Sequence, residues 1–259
     1  MSLFDTAHFD SLLRTAWLAR NVEYFQSVET TMTIARELAA LGAPTGTLVL
    51  AEEQTAGRGR RGRSFASPPG ENLYFTLILR LSRQMVRALP LALPLAVCEG
   101  ILASGPDARI KWPNDIWVRD RKLSGMLTDL DTAGDDYIAF PGVGINVNGD
   151  PRLVPGLEDT ATSIAVELGH PVDRVAVLAH VCNTLEAALQ APPQALAERY
   201  RAVSFVLGHK VTVSGAGPDR TGTAVAILDD GNLVLRLADG SEETISAGDV
   251  SLRPATGPG

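Results

Sequence analysis

The sequence has little of what builds disulfide frameworks or metal centres. It contains two cysteines, Cys98 and Cys182, each within an apolar stretch that reads as helix, and four histidines scattered singly. A disulfide scaffold needs more cysteines, and the spacing typical of zinc or iron ligands is missing. We therefore interpret both cysteines as reduced core residues and predict no metal site built from protein ligands.

Long apolar runs and an excess of basic charge are missing too. No stretch of eighteen apolar residues occurs, and the opening MSLFDTAHFDSLL lacks the positive start and the small-residue cleavage site of a signal peptide. The formal net charge is −7 and the pI is about 5.1, whereas nucleic-acid-binding domains are usually basic. These features predict a cytoplasmic enzyme with neither a membrane nor a DNA partner.

Lysine is the scarcest cation, with Lys111, Lys122 and Lys210 set against twenty arginines. Where arginine is the default cation, a retained lysine indicates that a compact point charge is wanted. Lys111 and Lys122 fall in short polar stretches, KWPND and RKLSG, that are flanked by apolar strand residues. Both are candidate site residues, whereas Lys210 fits a surface turn.

The most unusual stretch that is present is GRGRRGR at 57–63, which crowds four arginines onto a glycine-rich segment. It fits the G-x-G-x-x-G dinucleotide fingerprint, but that motif requires a helix to begin directly after the glycines. Here Pro68, Pro69 and Gly70 follow, and then a run of strand formers. Arginine side chains, rather than a helix dipole, must therefore meet an anion, and the loop is expected to order when the anion binds.

The periodicity predicts an α+β fold with a small β-barrel at the C-terminal end. After about residue 205 the chain changes to short alternating strands, with hairpin turns at Asp230-Gly231 and Asp239-Gly240. ARIKWPNDIWV and RKLSGMLTDLD are expected to pair around the charged turn at 119–122, and Pro113 breaks the first of them, so that Trp112, Asn114 and Asp115 lie at a strand end. The other predicted elements are helices at 31–41, from about Pro94 to Ala103, and at 171–190, and strands at 47–53, 72–81 and 137–148.

Four motifs in order, GRGRRGR, KWPND, KLSG and GVGINVN, resemble those of the biotin protein ligases. The small barrel that ends in GDVSLR resembles the C-terminal domain of that family. The resemblance implies a class II synthetase-like catalytic domain, a mixed β-sheet flanked by helices, over residues 1–205 and an SH3-like β-barrel over 206–259. Since no helix-turn-helix segment precedes the motifs, the chain resembles the short, non-DNA-binding form.

The resemblance also implies a reaction and its participants. Biotin and ATP would form biotinyl-5′-AMP, from which biotin passes to a lysine of a biotin carboxyl carrier domain of the acetyl-CoA carboxylase type. The cofactors would be ATP and Mg²⁺, with the metal bound through ATP. Family members range from monomers to dimers formed by sheet extension, so a homodimer stays open.

Carried over by position, the resemblance implies catalytic roles for Arg58, Lys122 and Asp115. Arg58 and Lys122 would hold biotin's carboxylate and the reacting phosphate oxygens, and Asp115 would accept the proton of the acceptor amine. The implied biotin-binding residues are Thr30, Thr31, Gln54, Gly57, Arg58, Gly59, Arg60, Lys122, Gly125, Gly142 and Gly144. The implied ATP-binding residues are Arg60, Arg63, Phe65, Lys111, Trp112, Asn114, Asp115 and Asn146.

Met32 and Phe65 depart from the family pattern, whereas Thr31 matches it and Thr30 keeps a hydroxyl group. Thr30, Thr31 and Met32 stand where the family usually shows Ser-Thr-Asn, and Phe65 stands where it often has a tryptophan that stacks on adenine. The threonines could also act as plain helix N-caps. Two other functions remain open, namely lipoate or octanoate ligation on the same architecture and a nucleic-acid-binding module that uses the Gly-Arg loop. KWPND together with GRGRRG favours biotin.

Overall fold

The computed structural model describes residues 4–59, 62, 65–133, 136–215 and 217–252. Arg60 and Arg63, both predicted site residues, lie outside this part of the chain. The helices are α1 (Thr6–Leu12), α2 (Thr31–Ala40), α3 (Arg83–Leu102), α4 (Ile164–Leu168), α5 (Arg174–Leu189) and α6 (Pro193–Ala202). The strands are β1 (Val22–Val28), β2 (Thr47–Gln54), β3 (Leu73–Leu81), β4 (Ala108–Lys111), β5 (Asp115–Val118), β6 (Arg121–Ala133), β7 (Asp136–Ile145), β8 (Lys210–Ser214), β9 (Arg220–Ile227), β10 (Leu233–Arg236), β11 (Glu242–Ile245) and β12 (Asp249–Leu252).

A seven-stranded sheet organises the larger part of the molecule, in the order β1-β2-β3-β7-β6-β5-β4. β1 and β2 are parallel, and the other neighbouring strands are antiparallel, so the mixed sheet and the α+β class are confirmed. β3 lies near the middle of this sheet and is buried along almost its whole length. Covering on both faces explains why its sequence is a continuous apolar run rather than an alternating one.

Helices cover the two faces of the sheet unequally. α3 and α5 pack on one face and contribute to the main core. α2 packs on the other face, where Ala35 and Ala39 contact a small cluster of Val49, Ile78 and Phe140. Because α2 spans only part of this second face, the remaining glycine-rich part of it is left for a pocket.

The helix that was predicted to begin near Pro94 is α3, and this predicted start was wrong. α3 begins at Arg83 and carries Pro90 and Pro94 in its interior. Each proline removes a backbone hydrogen bond, but α3 is buried closely against α5 and this packing outweighs the loss. Gly100 allows the close approach, since a Cβ there would lie 2.6 Å from Val181 Cγ2. By length and composition α3 could cross a membrane (mean hydropathy 1.7), yet most of it is buried inside the protein, as in a core helix.

Pro113 breaks the stretch 108–118, as predicted, but only its second half pairs with β6. β4 and β5 are separate strands that pair with each other, with Lys111 opposite Asp115, and the Trp112–Asn114 turn between them. A proline inside a strand cannot donate to the ladder, so the chain turns at Pro113 instead of continuing. β5 then pairs with β6 across the turn at Arg119 and Asp120, as predicted for the second half of this stretch.

The C-terminal strands form an antiparallel sheet in the order β11-β10-β9-β8-β12, consistent with the SH3-like fold. Its β9–β10 turn docks on the larger part. Trp112 Nε1 donates to Gly231 O (2.9 Å), and Arg201 of α6 donates to Ile227 O and to Asp229 (both 2.6 Å). The two parts are therefore joined next to the Trp112–Asn114 turn.

Candidate active site

A pocket of about 800 Å³ opens on the sheet face that α2 partly covers. Gly125 of β6 and Gly144 of β7 are register partners, and Gly142 lies two residues earlier on the same face of β7. A Cβ added to Gly125 would lie 2.8 Å from Lys122 Nζ. These three glycines, the glycine floor, have no side chains of their own, so other groups can lie close against their backbone.

The pocket brings together every predicted site residue that the structure describes, except Gly57. The barrel also reaches it through Asp249, Val250 and Ser251. The predicted residues that line it are Thr30, Thr31, Gln54, Arg58, Gly59, Phe65, Lys111, Trp112, Asn114, Asp115, Lys122, Gly125, Gly142, Gly144 and Asn146.

At one end of the pocket the Gln54 amide is fixed by three hydrogen bonds. Its Oε1 accepts from Thr31 N (3.0 Å) and Thr31 Oγ1 (3.2 Å), and its Nε2 donates to Ser67 Oγ (3.2 Å). The Thr31 hydroxyl also lies 2.8 Å from Thr76 Oγ1, and both threonines are buried. This end, the polar end, therefore presents preorganised donors and acceptors that suit a polar head group.

Thr30 and Met32 flank Thr31 and have different structural roles. Thr30 is the N-cap of α2, where its Oγ1 accepts from Thr33 N (3.1 Å). The Met32 methyl group lies against the glycine floor, 3.0 Å from a Cβ built on Gly142. One threonine thus caps the helix while the next one reaches into the polar end, and Met32 adds an apolar wall beside it.

The described part of the Gly-Arg loop folds towards the floor. Phe65 N donates to Gly57 O (2.9 Å) and closes the loop at its base, where a Cβ on Gly57 would lie 2.5 Å from Phe65 O. The Phe65 ring lies on the floor, so that a Cβ on Gly144 would be 2.5 Å from it. The Arg58 side chain is 70% exposed, and its Nη2 lies 3.9 Å from Glu29 Oε1. This ion pair is weak, so Arg58 is able to bind an anion.

The opposite wall carries the two lysines. Lys122 Nζ lies 2.7 Å from Asp115 Oδ1, and both side chains are partly exposed in the pocket. Lys111 Nζ lies 3.9 Å from the ring centroid of Trp117, a cation–π contact. Two cations on one wall and Arg58 on the loop are the side chains that an anionic ligand could meet here.

Three other predicted residues commit their side-chain N–H groups to the protein. Trp112 donates to the barrel at Gly231, Asn114 Nδ2 donates to Met126 O, and Asn146 Nδ2 donates to Thr162 O (3.0 Å). Trp112 and Asn146 are also largely buried. Through these contacts all three side chains help to hold the pocket walls.

Sequence reasoning missed Thr76, Ser67 and Trp117. Thr76 and Ser67 complete the network of the polar end, and Trp117 lines the pocket under Lys111. The buried Trp117 indole N–H has no hydrogen-bond partner in the described part of the chain. The sequence could have indicated Thr76, because its hydroxyl lies within the otherwise apolar run YFTLIL. No such pattern in the sequence pointed to Ser67 or Trp117.

The chemistry that this pocket supports is the approach of two anions to each other. It joins a polar end, a glycine floor and a wall that carries Lys111 and Lys122, and it places the Asp115 carboxylate beside Lys122. Among the residues that the structure describes, no group of three or more His, Cys, Asp or Glu side chains could hold a metal ion.

Comparison with known proteins agrees with this geometry. Residues 24–146 match the model of the Biotin/lipoate A/B protein ligase family, and residues 206–253 match the Biotin protein ligase C terminal domain. The first match covers β1 to β7 and the second covers the C-terminal sheet.

Curated relatives and solved structures match over most of the chain. The Bifunctional ligase/repressor BirA of Bacillus subtilis is 34% identical over 247 residues, which is 91% of this chain and 75% of that protein. The Biotin--[acetyl-CoA-carboxylase] ligase of Mycobacterium tuberculosis is 37% identical over 226 residues, 82% of this chain and 81% of that one. The Aquifex aeolicus biotin protein ligase in complex with biotin and ATP superposes with a TM-score of 0.76 at 29% identity, covering 91% of this chain and 100% of that chain.

Proposed function

This chain belongs to the biotin protein ligase family and is an ATP-dependent ligase, and on that premise we propose how its pocket performs the reaction. The biotin carboxylate attacks the α-phosphorus of ATP, a P–O bond forms, and pyrophosphate leaves to give biotinyl-5′-AMP. The ε-amine of a lysine on a biotin carboxyl carrier domain then attacks the acyl carbon, and AMP leaves. The first step needs no base because the carboxylate is already ionised.

The barrier to the first step is largely electrostatic. Two unit charges 4 Å apart repel by about 4 kcal/mol at an effective dielectric near 20, and a triphosphate carries several such charges. Lys122 and Arg58 supply permanent cations next to the glycine floor, and Mg²⁺ bound to the ATP phosphates supplies more. Positioning and charge neutralisation by these groups would provide most of the acceleration.

The orientation of the substrates follows from the ends of the pocket. The ureido head of biotin has both N–H donors and a carbonyl acceptor, which the Thr31–Gln54–Thr76 network can match. Its carboxylate would then reach the wall that carries Lys122, and the nucleotide would lie towards Lys111 and Trp117. In the second step Asp115 would accept the proton of the incoming amine, which has an ordinary pKa of about 10.4.

The observation that carries this proposal is the single pocket that unites the buried polar end with the Lys122–Asp115 pair across a glycine floor. The direct test is to incubate the protein with biotin, magnesium ATP and a biotin carboxyl carrier domain, and to measure the covalent mass gain of the domain. A domain whose acceptor lysine is changed to arginine is the control, and lipoate and octanoate replace biotin in parallel reactions. Preferential labelling by lipoate or octanoate would overturn the proposal.

A further inference from the structure

The backbone of Lys122 is held by a segment that follows β7 in the sequence. Lys122 N donates to Thr160 O and Thr162 N donates to Lys122 O, both at 2.9 Å, so that Lys122 and Ala161 form an isolated parallel bridge. Thr160 and Ala161 also line the pocket. This bridge fixes the point from which the long lysine side chain reaches into the site.

Both strands of this bridge are tied to one carboxylate. Glu167 in α4 accepts from Arg121 NH2 (2.8 Å), one residue before Lys122, and from Thr162 Oγ1, one residue after Ala161. Only 5% of its side chain is exposed. Arg119, on the turn before β6, lies 3.9 Å from its other oxygen.

This carboxylate therefore connects the two chain segments whose relative position determines where the Lys122 backbone lies. A buried carboxylate with charged and hydroxyl donors is a stiff connection, because breaking either contact leaves a desolvated charge. A lysine side chain is flexible, so its productive geometry depends on where its backbone is anchored. A misplacement of about 1 Å at a reacting centre can cost about 100-fold in rate.

We propose that Glu167 is a positioning residue for Lys122, acting through Arg121 and Thr162 to hold the Lys122–Ala161 bridge. This inference rests on the proposed function, in which Lys122 contacts the carboxylate of biotin and the reacting phosphate. Glu167 does not line the pocket, so its effect on catalysis must be indirect.

The test compares Glu167→Gln with Glu186→Gln. Glu186 is also a buried carboxylate, but it accepts from the backbone N–H groups of Ala16, Trp17 and Leu18 and lies outside the pocket lining. Single-turnover formation of biotinyl-AMP is measured well below the unfolding midpoint of each variant. We expect a ~10–100-fold slower reaction for Glu167→Gln and a rate within about twofold of the original for Glu186→Gln.

A second readout separates positioning from general loss of structure. Calorimetry gives the affinity for biotin and for biotinamide, which keeps the ring system but has no carboxylate. Because Lys122 is assigned to the carboxylate, Glu167→Gln should weaken biotin by roughly tenfold and leave biotinamide within about twofold. If Glu167→Gln does not fold, Thr162→Val replaces it and carries the same expectations.

The outcomes are distinct. An unchanged rate and affinity in Glu167→Gln, or an equal loss of biotin and biotinamide binding, overturns the positioning role. If the unsubstituted protein forms no biotinyl-AMP at all, the proposed function is overturned. The inference about Glu167, which rests on that function, is then overturned as well.

Discussion

Lys122 Nζ lies 2.7 Å from Asp115 Oδ1, where β5 and β6 run side by side under the pocket. Lys122→Ala removes the cation that faces the reacting groups, and adenylate formation should fall by about 100- to 1,000-fold. Lys122→Arg is the control, because it keeps the charge but changes its geometry. Biotin-dependent exchange of labelled pyrophosphate into ATP measures the step, and wild-type exchange by Lys122→Ala would exclude the assigned role.

Asp115 is assigned to the second step, so the two steps should respond differently to its loss. Asp115→Asn keeps the shape of the side chain but cannot accept the proton of the carrier amine, and transfer should slow by about 100-fold or more. Adenylate formation should fall less, because Lys122 keeps its charge. Transfer from preformed biotinyl-AMP, followed against pH, separates the steps; an equal loss in both would mean that Asp115 acts only by holding Lys122.

The two adjacent threonines of α2 provide a matched pair. Thr31→Val removes a buried hydroxyl that bonds to Gln54 and Thr76, and biotin affinity should fall by ~1–2 kcal/mol, about 5- to 30-fold. Thr30→Ala removes the N-cap and should cost about 1 kcal/mol of unfolding free energy. Calorimetry and denaturant unfolding of both variants test this division, and a reversed order of effects would contradict it.

The sequence was sufficient for the parts of the site that depend on local patterns. The Gly-Arg loop, the KWPND turn and the two glycines of GVGINVN each need a particular residue type at a particular backbone position. Their order along the chain identified the family resemblance, and the mixed sheet with its C-terminal partner agreed with it. The sequence left helix N-capping open for the two threonines, and the structure gives that role to Thr30.

What the sequence could not supply were contacts between distant segments. The start of α3 was misplaced because packing against α5 overrides the usual penalty of Pro90 and Pro94. The partner of Trp112 is a barrel carbonyl 119 residues away, at Gly231, and no local pattern encodes such a pairing. Sequence reasoning missed Glu167 for the same reason, because its side-chain partners come before and after β7 in the sequence.

The contact of Phe65 with Gly144 predicts how the loop and the floor depend on each other. Gly144→Ala adds a Cβ 2.5 Å from the ring, so the ring must move off the floor and loosen the loop base at Gly57. We expect a raised KM for ATP and a loss of about 1–3 kcal/mol of stability from overpacking. In a Phe65→Ala background the same substitution should cost little further stability, and an undiminished loss of stability there would show that Phe65 is not the cause.

Glu52 and Arg174 tie β2 to the start of α5 beneath the site, and this pair should govern acid stability. Two guanidinium nitrogens of Arg174 lie 2.7 Å from the Glu52 oxygens, and both side chains are almost fully buried. Burial alone would raise the pKa of Glu52, but the hydrogen bonds from Arg174 and Tyr24 outweigh it and hold that pKa below its usual 4.5.

Because the folded pKa is depressed, the stabilisation is fully present above about pH 4.5 and is lost as the pH falls through the folded value. Glu52→Gln removes the charge of one member of this buried ion pair and should cost ~3–5 kcal/mol at pH 7, with a smaller difference at pH 3. Denaturant unfolding at both pH values measures this, with Glu53→Gln as the control at the next, half-buried position of β2; an equal cost at pH 7 and pH 3 would contradict the assignment.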